Sequence, residues 1–214
     1  MAEERRDGDA GTATQILDVA ERLVQQQGYQ GFSYADVAGE LGLTKAALHY
    51  HFASKAELGE ALIERYSSRF MASLDSLDQE APDARAKLAG YVRRYVDVVR
   101  ADRLCLCGML AAEYRMLPAP MREAVVAFFE ANEAWLTGVL DEGVRSGQLH
   151  LRAPADETAR LLVGGLEGAM LVGRPTGDAR RFEALAHRLV DELTAPAVAG
   201  RRGQAQGRAV RVPQ

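Results

Sequence analysis

Residues 38–52 read AGELGLTKAALHYHF, and this stretch decides the fold. Gly42 stands between two short segments with the apolar spacing of helices, and Thr44 behind it is a good N-cap. Ala38 supplies a small side chain where two helices would cross. The pattern predicts a helix-turn-helix, in which two short helices are joined by a tight turn.

The second helix of this motif is expected to bury Leu48 and Phe52, which are four residues apart and therefore share one face. The other side chains stay on or near the outer face: Lys45, Ala46, Ala47, His49, Tyr50 and His51. In a helix-turn-helix this surface enters the major groove of DNA. Two alternatives stay open, because Tyr50 could also pack inward and His51 could cap the helix.

Helical patterns continue along the rest of the chain. Capping boxes at Thr12 with Gln15 and at Ser54 with Glu57 mark the starts of two more helices. Apolar spacing predicts further helices over residues 84–101, 104–116, 120–147, 155–172 and 178–193. Since no stretch alternates apolar and polar residues as a strand does, we expect an all-α protein.

The expected organisation is a three-helix head joined to a larger helical domain. The head covers residues 12–56, and the larger domain covers residues 57–196. An unstructured arm, residues 1–11, would precede the head. An unstructured tail rich in Gly, Arg and Gln, residues 197–214, would follow the larger domain.

The charge distribution argues against promiscuous DNA binding. The 214 residues carry 26 Lys and Arg against 30 Asp and Glu, a net charge of −4. Residues 1–60 alone hold five basic and ten acidic residues, whereas residues 41–56 contain two Lys, two His and no acid. The acid-free window coincides with the expected contact helix. We therefore expect few phosphate contacts and a modest salt dependence of DNA affinity.

Several classes of protein find no support in the sequence. It shows no signal peptide and no apolar run long enough for a membrane span, so we expect a cytoplasmic protein without a membrane partner. Cys105 and Cys107 are too close for a strain-free disulfide, and no His or Cys stands at chelating distance from them. No catalytic motif is recognisable. We expect no metal, no cofactor and no enzymatic activity.

The motif and its flanks resemble the TetR family of bacterial repressors over residues 12–60. The resemblance rests on residues 38–52 together with Gly28-Tyr29, Phe32-Ser33 and Ser54-Lys55-Ala56-Glu57-Leu58. It implies an N-terminal helix-turn-helix head and a larger helical domain for effector binding and dimerisation. It also implies a homodimer that binds palindromic double-stranded operator DNA and is released by a small-molecule effector.

The resemblance further implies which residues meet DNA. Ser33 and Tyr34 would contact the backbone at the start of the first motif helix, and Lys55 would hold a phosphate. The residues that would read or position the operator are Thr44, Lys45, Ala47, His49 and Tyr50. The operator sequence itself does not transfer, because His49 stands where a tyrosine is common and Ala35 where an arginine is frequent.

A second, narrower resemblance concerns residues 105–113, CLCGMLAAE, which are similar to the central helix of NemR-like and AcuR-like family members. In some of these members a cysteine senses electrophiles or oxidants, and that cysteine corresponds to Cys105. The upstream Arg100 and Arg103, and a position in the first turn of a helix, could lower the Cys105 pKa. The alternative is that Cys105 and Cys107 are small core residues.

An apolar effector pocket is expected between the central helices of the larger domain. Its candidate residues are Cys105, Met109, Leu110, Tyr114, Phe128, Phe129, Asn132, Trp135, Leu166 and Met170. Each is equally consistent with plain core packing. Small residues along residues 162–173 predict a close helix pair across a dimer interface, with the helix from Asp178 as its partner.

The sequence leaves two functions open besides that of a repressor. The acidic head allows a dimer that has lost DNA binding and binds only a ligand or partner. A thiol-dependent enzyme using Cys105 is the weaker alternative, because the chain lacks a nucleophile elbow, a P-loop and an HExxH motif.

Overall fold

The computed structural model describes the backbone of residues 2–194 and the side chains of residues 11–194. Within that range the chain forms helices and no strand, which confirms the predicted all-α class. The α-helices are α1 (Ala2–Gln27), α2 (Tyr34–Leu41), α3 (Lys45–His51), α4 (Lys55–Glu80), α5 (Ala84–Arg100), α6 (Leu106–Ala112), α7 (Ala119–Arg145), α8 (Ala155–Gly173) and α9 (Ala179–Thr194). Short 3₁₀ turns follow α6, at Tyr114–Met116, and α8, at Arg174–Thr176.

The head contains the predicted helix-turn-helix. Gly42 ends α2 with a left-handed φ of 65°, a conformation that glycine adopts without strain. Val37, Ala38 and Leu48 are buried between α1, α2 and α3. At the start of α4, the Ser54 hydroxyl accepts from the Glu57 N–H at 3.1 Å, and the Glu57 carboxylate accepts from the Ala53 N–H at 2.9 Å. These bonds confirm the predicted cap of α4.

The chain ends show one difference from the sequence analysis. Helix α1 extends back to Ala2, through the predicted arm, so Thr12 lies inside a helix and does not cap its start. Helix continuation is the stronger local preference here, because residues 2–10 contain several good helix formers. The predicted tail, residues 197–214, lies outside the described residues.

The larger domain is built around α7, which packs against α4, α5, α6 and α8. Helix α9 packs against both α8 and α5. Helix α4 runs without a break across the predicted domain boundary, so one helix belongs to both the head and the larger domain. Over residues 2–194 no helix combines the length and apolarity that a bilayer crossing requires.

Candidate nucleic-acid interface and effector cavity

Helix α3 presents a short polar surface to solvent. The Thr44 hydroxyl accepts from the Ala47 N–H at 3.1 Å and starts the helix, as predicted. Leu48 is fully buried and anchors the opposite face. Tyr50 is 75% exposed, so the alternative in which it packs inward is wrong. On α3 and its N-cap, the other exposed positions are Thr44, Lys45, Ala46 and His49, and Ala47 is half-buried.

The C-terminal end of α3 is defined by Phe52. Its N–H donates to the Leu48 carbonyl at 2.8 Å, and Phe52 rather than His51 occupies the cap position. The His51 ring lies edge-on to the Tyr50 ring, with centroids 5.2 Å apart. The two rings therefore form one aromatic pair at the C-terminal end of α3.

Tyr34 is engaged within the head. Its hydroxyl donates to the Phe52 carbonyl at 2.8 Å, and its ring lies 4.8 Å from the His49 ring. Burial, with the nearby Glu57 carboxylate adding to it, raises the pKa of Tyr34 to about 12. The imidazole Nδ1 of His49 lies 3.1 Å from the Ala53 carbonyl oxygen. These contacts hold α2 and the end of α3 together.

Lys55 is engaged within the head as well. Its ammonium donates to the Phe32 carbonyl at 2.5 Å and lies over the rings of Tyr29 and Phe32, 4.6 and 4.4 Å from their centroids. Burial lowers the pKa of Lys55, and Glu113 and Asp36 act in the opposite direction. The ammonium thus fastens the start of α4 to the loop before α2. Its predicted phosphate contact stays a prediction.

Ser33 is the exposed N-cap of α2. Its N–H and its hydroxyl donate to the Asp36 carboxylate at 2.7 and 2.8 Å. These bonds lower the pKa of Asp36. The hydroxyl proton of Ser33 is therefore used within the turn, and the predicted contact of Ser33 with the DNA backbone also stays a prediction.

The larger domain caps the C-terminal end of α1. The backbone N–H of Leu104 donates to the Gln25 carbonyl at 3.2 Å. The Arg174 guanidinium donates to the same carbonyl at 3.3 Å and to the carbonyl of Gln26. The last carbonyls of a helix have no partner within it, so these donors complete α1 from outside the head.

A second contact between the two domains joins α6 to the loop after α1. The Glu113 carboxylate accepts from the Gln30 N–H at 3.0 Å. Gly28 has a left-handed φ of 84°, and a Cβ atom there would lie 2.2 Å from Glu113 Oε1. The left-handed φ favours glycine at this position, and a Cβ atom there would displace the Glu113 carboxylate. Glu113 thereby ties the end of α6 to the head.

The interior of the larger domain holds a polar cluster among aromatic rings. The Tyr91 hydroxyl donates to Asn132 Oδ1 at 2.9 Å and lies 3.2 Å from the Tyr95 hydroxyl. The Tyr66 hydroxyl donates to Cys105 Sγ at 3.7 Å. Asn132 Nδ2 is buried without a hydrogen-bond partner. Buried polar atoms are usually partnered, so Asn132 Nδ2 is an exception among the buried polar atoms of this cluster.

Both cysteines are buried thiols. Burial raises the pKa of Cys105 and of Cys107 well above its ordinary value, with Glu167 as the next cause for each. Arg100 instead pairs with Glu183 at 2.8 Å, so it is not available to a thiolate. Desolvation outweighs the helix N-terminus, so the Cys105 pKa is raised and not lowered, and the alternative in which both cysteines are buried core residues is confirmed.

Glu167 belongs to this region and was missed by sequence reasoning. It lies near Cys105 and Tyr95, and burial raises its pKa to about 7, although those two neighbours act in the opposite direction. Its Oε1 atom is buried without a partner. The sequence does single Glu167 out, since it is the one charged residue in the apolar stretch between Leu161 and Gly173.

Two sizeable cavities lie beside α8. One, of about 190 Å³, lies between α6, α7 and α8, and its wall includes Glu167, Met109 and Met170. The other, of about 310 Å³, lies between α5, α8 and α9 and includes Arg100, Arg103 and Arg174. Each is large enough to hold a small molecule.

The predicted effector residues take four kinds of position. Met109, Phe129 and Met170 line the smaller cavity. The buried core around it holds Cys105, Leu110, Phe128, Asn132 and Leu166. Tyr114 is 39% exposed in the turn after α6, outside both cavity walls. Trp135 is half-buried, stacks on Tyr91 and donates its indole N–H to Asp78 at 2.9 Å.

Comparison with known proteins accounts for both domains. Residues 16–62 match "Bacterial regulatory proteins, tetR family", and residues 82–189 match "Tetracyclin repressor-like, C-terminal domain". The transcriptional regulator AcuR of Cereibacter sphaeroides is 30% identical over 171 residues, which cover 76% of this chain and 77% of AcuR.

Solved structures show the same fold. A TetR-family regulator from Agrobacterium tumefaciens superimposes with a TM-score of 0.83 at 33% identity, covering 87% of this chain and all of that chain. The reduced form of Escherichia coli NemR gives a TM-score of 0.76 at 23% identity, over 88% of this chain and 100% of NemR, which is a likeness of fold alone. The chain belongs to the TetR family of bacterial transcriptional regulators.

Proposed function

We propose that this regulator is a repressor that binds a palindromic operator as a homodimer and releases it when a small molecule enters the larger domain. As a member of its family the protein is a DNA-binding transcriptional regulator and not an enzyme. The observation that carries the proposal is the exposed, acid-free surface of α3, with Tyr50 held outward and Leu48 fully buried behind it. Its place of action would be the cytoplasm, where the bacterial chromosome lies.

The proposed DNA contacts follow from exposure. Lys45 supplies a positive charge for a phosphate, and Tyr50 supplies an aromatic ring with a hydroxyl. The further contacts would come from Ser33, Thr44, Ala46, Ala47, His49 and His51. Tyr34 and Lys55 would act as positioning residues, because their polar groups bond within the head. With so few basic residues, sequence-independent attraction to DNA would be weak.

Exposed apolar residues on α8 and α9 support a dimer interface. Leu171 is 57%, Val172 79% and Leu185 52% exposed. Gly164 on α8 has open space where a side chain would be, so a second helix could approach closely there. Gly165, by contrast, faces Leu189 of the same subunit, so only part of the predicted small-residue face is available for a partner.

An effector in the smaller cavity would act on both contacts that hold the head. The cavity separates α6 from α8. Helix α6 leads to Glu113, which bonds the loop after α1, and α8 leads to Arg174, which caps α1. A ligand that favours a wider spacing of α6 and α8 would therefore shift the head toward a second arrangement, provided that it binds that arrangement more tightly.

The thiols favour a noncovalent effector. A thiolate is the reactive form of cysteine, and both buried cysteines have raised pKa values. An electrophilic or oxidising effector would need to open the core before it could react.

A gel-shift with the DNA upstream of the protein's own gene tests the proposal. We expect specific retention by the wild type and none by the double variant Lys45→Ala, Tyr50→Ala. Arg145→Ala, which removes a positive charge at the end of α7, is the matched control and should bind normally. If the wild type binds no DNA specifically while remaining a folded dimer, the protein is a ligand- or partner-binding dimer and the proposal is wrong.

A further inference from the structure

Glu167 is a buried carboxyl group without a cation. Its ion pairs would have to come from Lys, Arg or His, and none forms among residues 11–194. The groups that approach it are neutral: the Cys105 thiol and the Tyr95 hydroxyl. Burying a carboxylate without a charge partner is costly, and proteins that keep such a group commonly use it in a binding or reactive site.

The cavity beside Glu167 is otherwise apolar. The remaining side chains and glycines of its wall are Leu104, Gly108, Met109, Ala111, Ala112, Phe129, Gly168, Met170 and Leu171. Its volume of about 190 Å³ equals about six water molecules' share of liquid water, which suits a ligand of roughly six to nine non-hydrogen atoms. One charged group in an apolar wall fixes the orientation and the charge of what binds.

The close fit of Gly108 supports a site built around the carboxyl group. A Cβ atom at Gly108 would lie 2.2 Å from Glu167 Oε2, so the carboxyl group occupies the space that glycine leaves free. The second oxygen, Oε1, has no hydrogen-bond partner. The carboxyl group is therefore held in place on one side and still has an unused acceptor.

We infer that the cavity between α6 and α8 binds a compact organic cation, an ammonium group on an apolar stem, with Glu167 as the anionic group that recognises it. The inference rests on the proposed function, because this ligand would be the effector of the repressor. An ammonium ion supplies both the missing positive charge and N–H donors. A carboxylate ligand would place a second negative charge beside Glu167.

The ionisation of Glu167 gives the site a pH dependence. Its pKa of about 7 means that the carboxylate form grows from pH 6 to pH 8. The titratable groups around it stay neutral over this range, since Cys105, Cys107, Tyr66, Tyr91 and Tyr95 all have raised pKa values. The affinity for a cation should therefore rise about tenfold between pH 6 and pH 8.

Isothermal titration with three ligands of equal chain length tests the inference. Hexylammonium, hexan-1-ol and hexanoate are titrated into the full-length protein at pH 8. We expect hexylammonium to bind at least about tenfold more tightly than hexan-1-ol, since a charge-assisted hydrogen bond contributes more than a neutral one. Hexanoate should bind most weakly.

Two variants assign the preference to Glu167. The Glu167→Gln variant should bind hexylammonium and hexan-1-ol with about the same weak affinity. The control Glu157→Gln alters an exposed carboxylate in the first turn of α8 and should keep the wild-type preference. Gly108→Ala, which displaces the Glu167 carboxyl group and leaves its charge in place, should reduce the preference for ammonium over alcohol. Equal binding of alcohol and ammonium, stronger binding of hexanoate, or an unchanged preference in Glu167→Gln overturns the inference.

Operator retention by the same samples is a separate measurement. A preference for ammonium that depends on Glu167 establishes the site, even if the operator stays bound. In that case the cavity binds a cation and the proposed effector response is wrong. If the wild type binds its operator but does not prefer hexylammonium over hexan-1-ol, the inferred class of ligand is wrong. The proposed repressor function is then unaffected.

Discussion

The Tyr34 hydroxyl donates a 2.8 Å hydrogen bond to the carbonyl oxygen of Phe52, and so the first residue of α2 is joined to the residue that ends α3. The bond spans the helix-turn-helix opposite its tight turn at Gly42. Together the turn and the bond fix the angle between α2 and α3. The orientation of the proposed contact helix therefore depends on a side chain outside it.

Tyr34→Phe removes this bond and keeps the ring that packs against His49. We expect the free energy of unfolding to fall by about 1 kcal/mol, the usual net contribution of one hydrogen bond, and operator affinity to fall with it. Urea denaturation and fluorescence anisotropy with operator DNA measure the two effects. Tyr50→Ala is the control, since a 75% exposed side chain should affect DNA binding and leave stability within about 0.5 kcal/mol. Equal stability of Tyr34→Phe and wild type would contradict the role of the bond.

Gly28→Ala should destabilise the contact between the two domains. An alanine at a φ of 84° is strained by roughly 1 kcal/mol or more, and its Cβ would also collide with Glu113. Gly42→Ala is the matched control, because its φ of 65° carries the same strain in open space. Glu113→Ala removes the side chain that the new Cβ would meet. In a double-mutant cycle, Gly28→Ala should therefore lower the free energy of unfolding less in the Glu113→Ala background than in the wild type. Additive losses in that cycle would show that Glu113 does not restrict position 28.

Glu167→Gln should change how stability depends on pH. Burial raises the Glu167 pKa from its ordinary value of 4.5 to about 7, so between these values the folded state holds more protons than the unfolded state. Stability should therefore decline as pH rises from 4.5 to 7, by about 3 kcal/mol in all, and level off above pH 7. Denaturation of Glu167→Gln across this range should lack that decline. Identical pH profiles for the variant and wild type would show that Glu167 titrates normally.

The cysteines should react slowly with alkylating reagents in the folded protein. Each unit by which the pKa of a thiol is raised lowers its thiolate fraction about tenfold near neutral pH, and burial adds a barrier to access. Iodoacetamide at pH 7.5, followed by mass spectrometry, should modify Cys105 and Cys107 far faster in urea than in buffer. Rapid modification of native Cys105 that is lost in Cys105→Ser would restore the electrophile-sensing hypothesis.

Charges on the exposed face of α8 and α9 should dissociate the dimer. Val172→Glu with Leu185→Glu would place two carboxylates in the proposed apolar interface, where unpaired charges are costly. Sedimentation should show monomers for this variant and dimers for wild type. Val144→Glu, at an exposed position on α7, is the control and should stay dimeric. A dimer that persists in the double variant would place the interface elsewhere.

The local sequence was sufficient to predict the head. Caps at Thr44 and Ser54, the glycine at 42 and the apolar pair Leu48 and Phe52 act over a few residues, and each is found as predicted. The outward position of Tyr50 follows from the same spacing once Leu48 is buried. What local rules missed is the start of α1, where helix-forming residues before Thr12 continue the helix.

The contacts of charged side chains depended on distant residues and could not be predicted. Lys55 bonds a carbonyl 23 positions earlier, and Arg174 bonds one that is 149 positions earlier. Cys105 has two arginines nearby in sequence, yet burial decides its pKa and Arg100 pairs across the fold with Glu183. The charged residues close to a side chain in sequence therefore do not predict which charges surround it in the folded protein.

The caps on α1 limit how freely the two halves of this protein could be recombined. Because the donors to the Gln25 and Gln26 carbonyls come from Leu104 and Arg174, an excised head would leave the end of its first helix to water. A chimera that joins this head to the effector domain of another regulator would need an arginine and a loop N–H at equivalent positions. The end of α1 is therefore complete only when the head and the larger domain are present together.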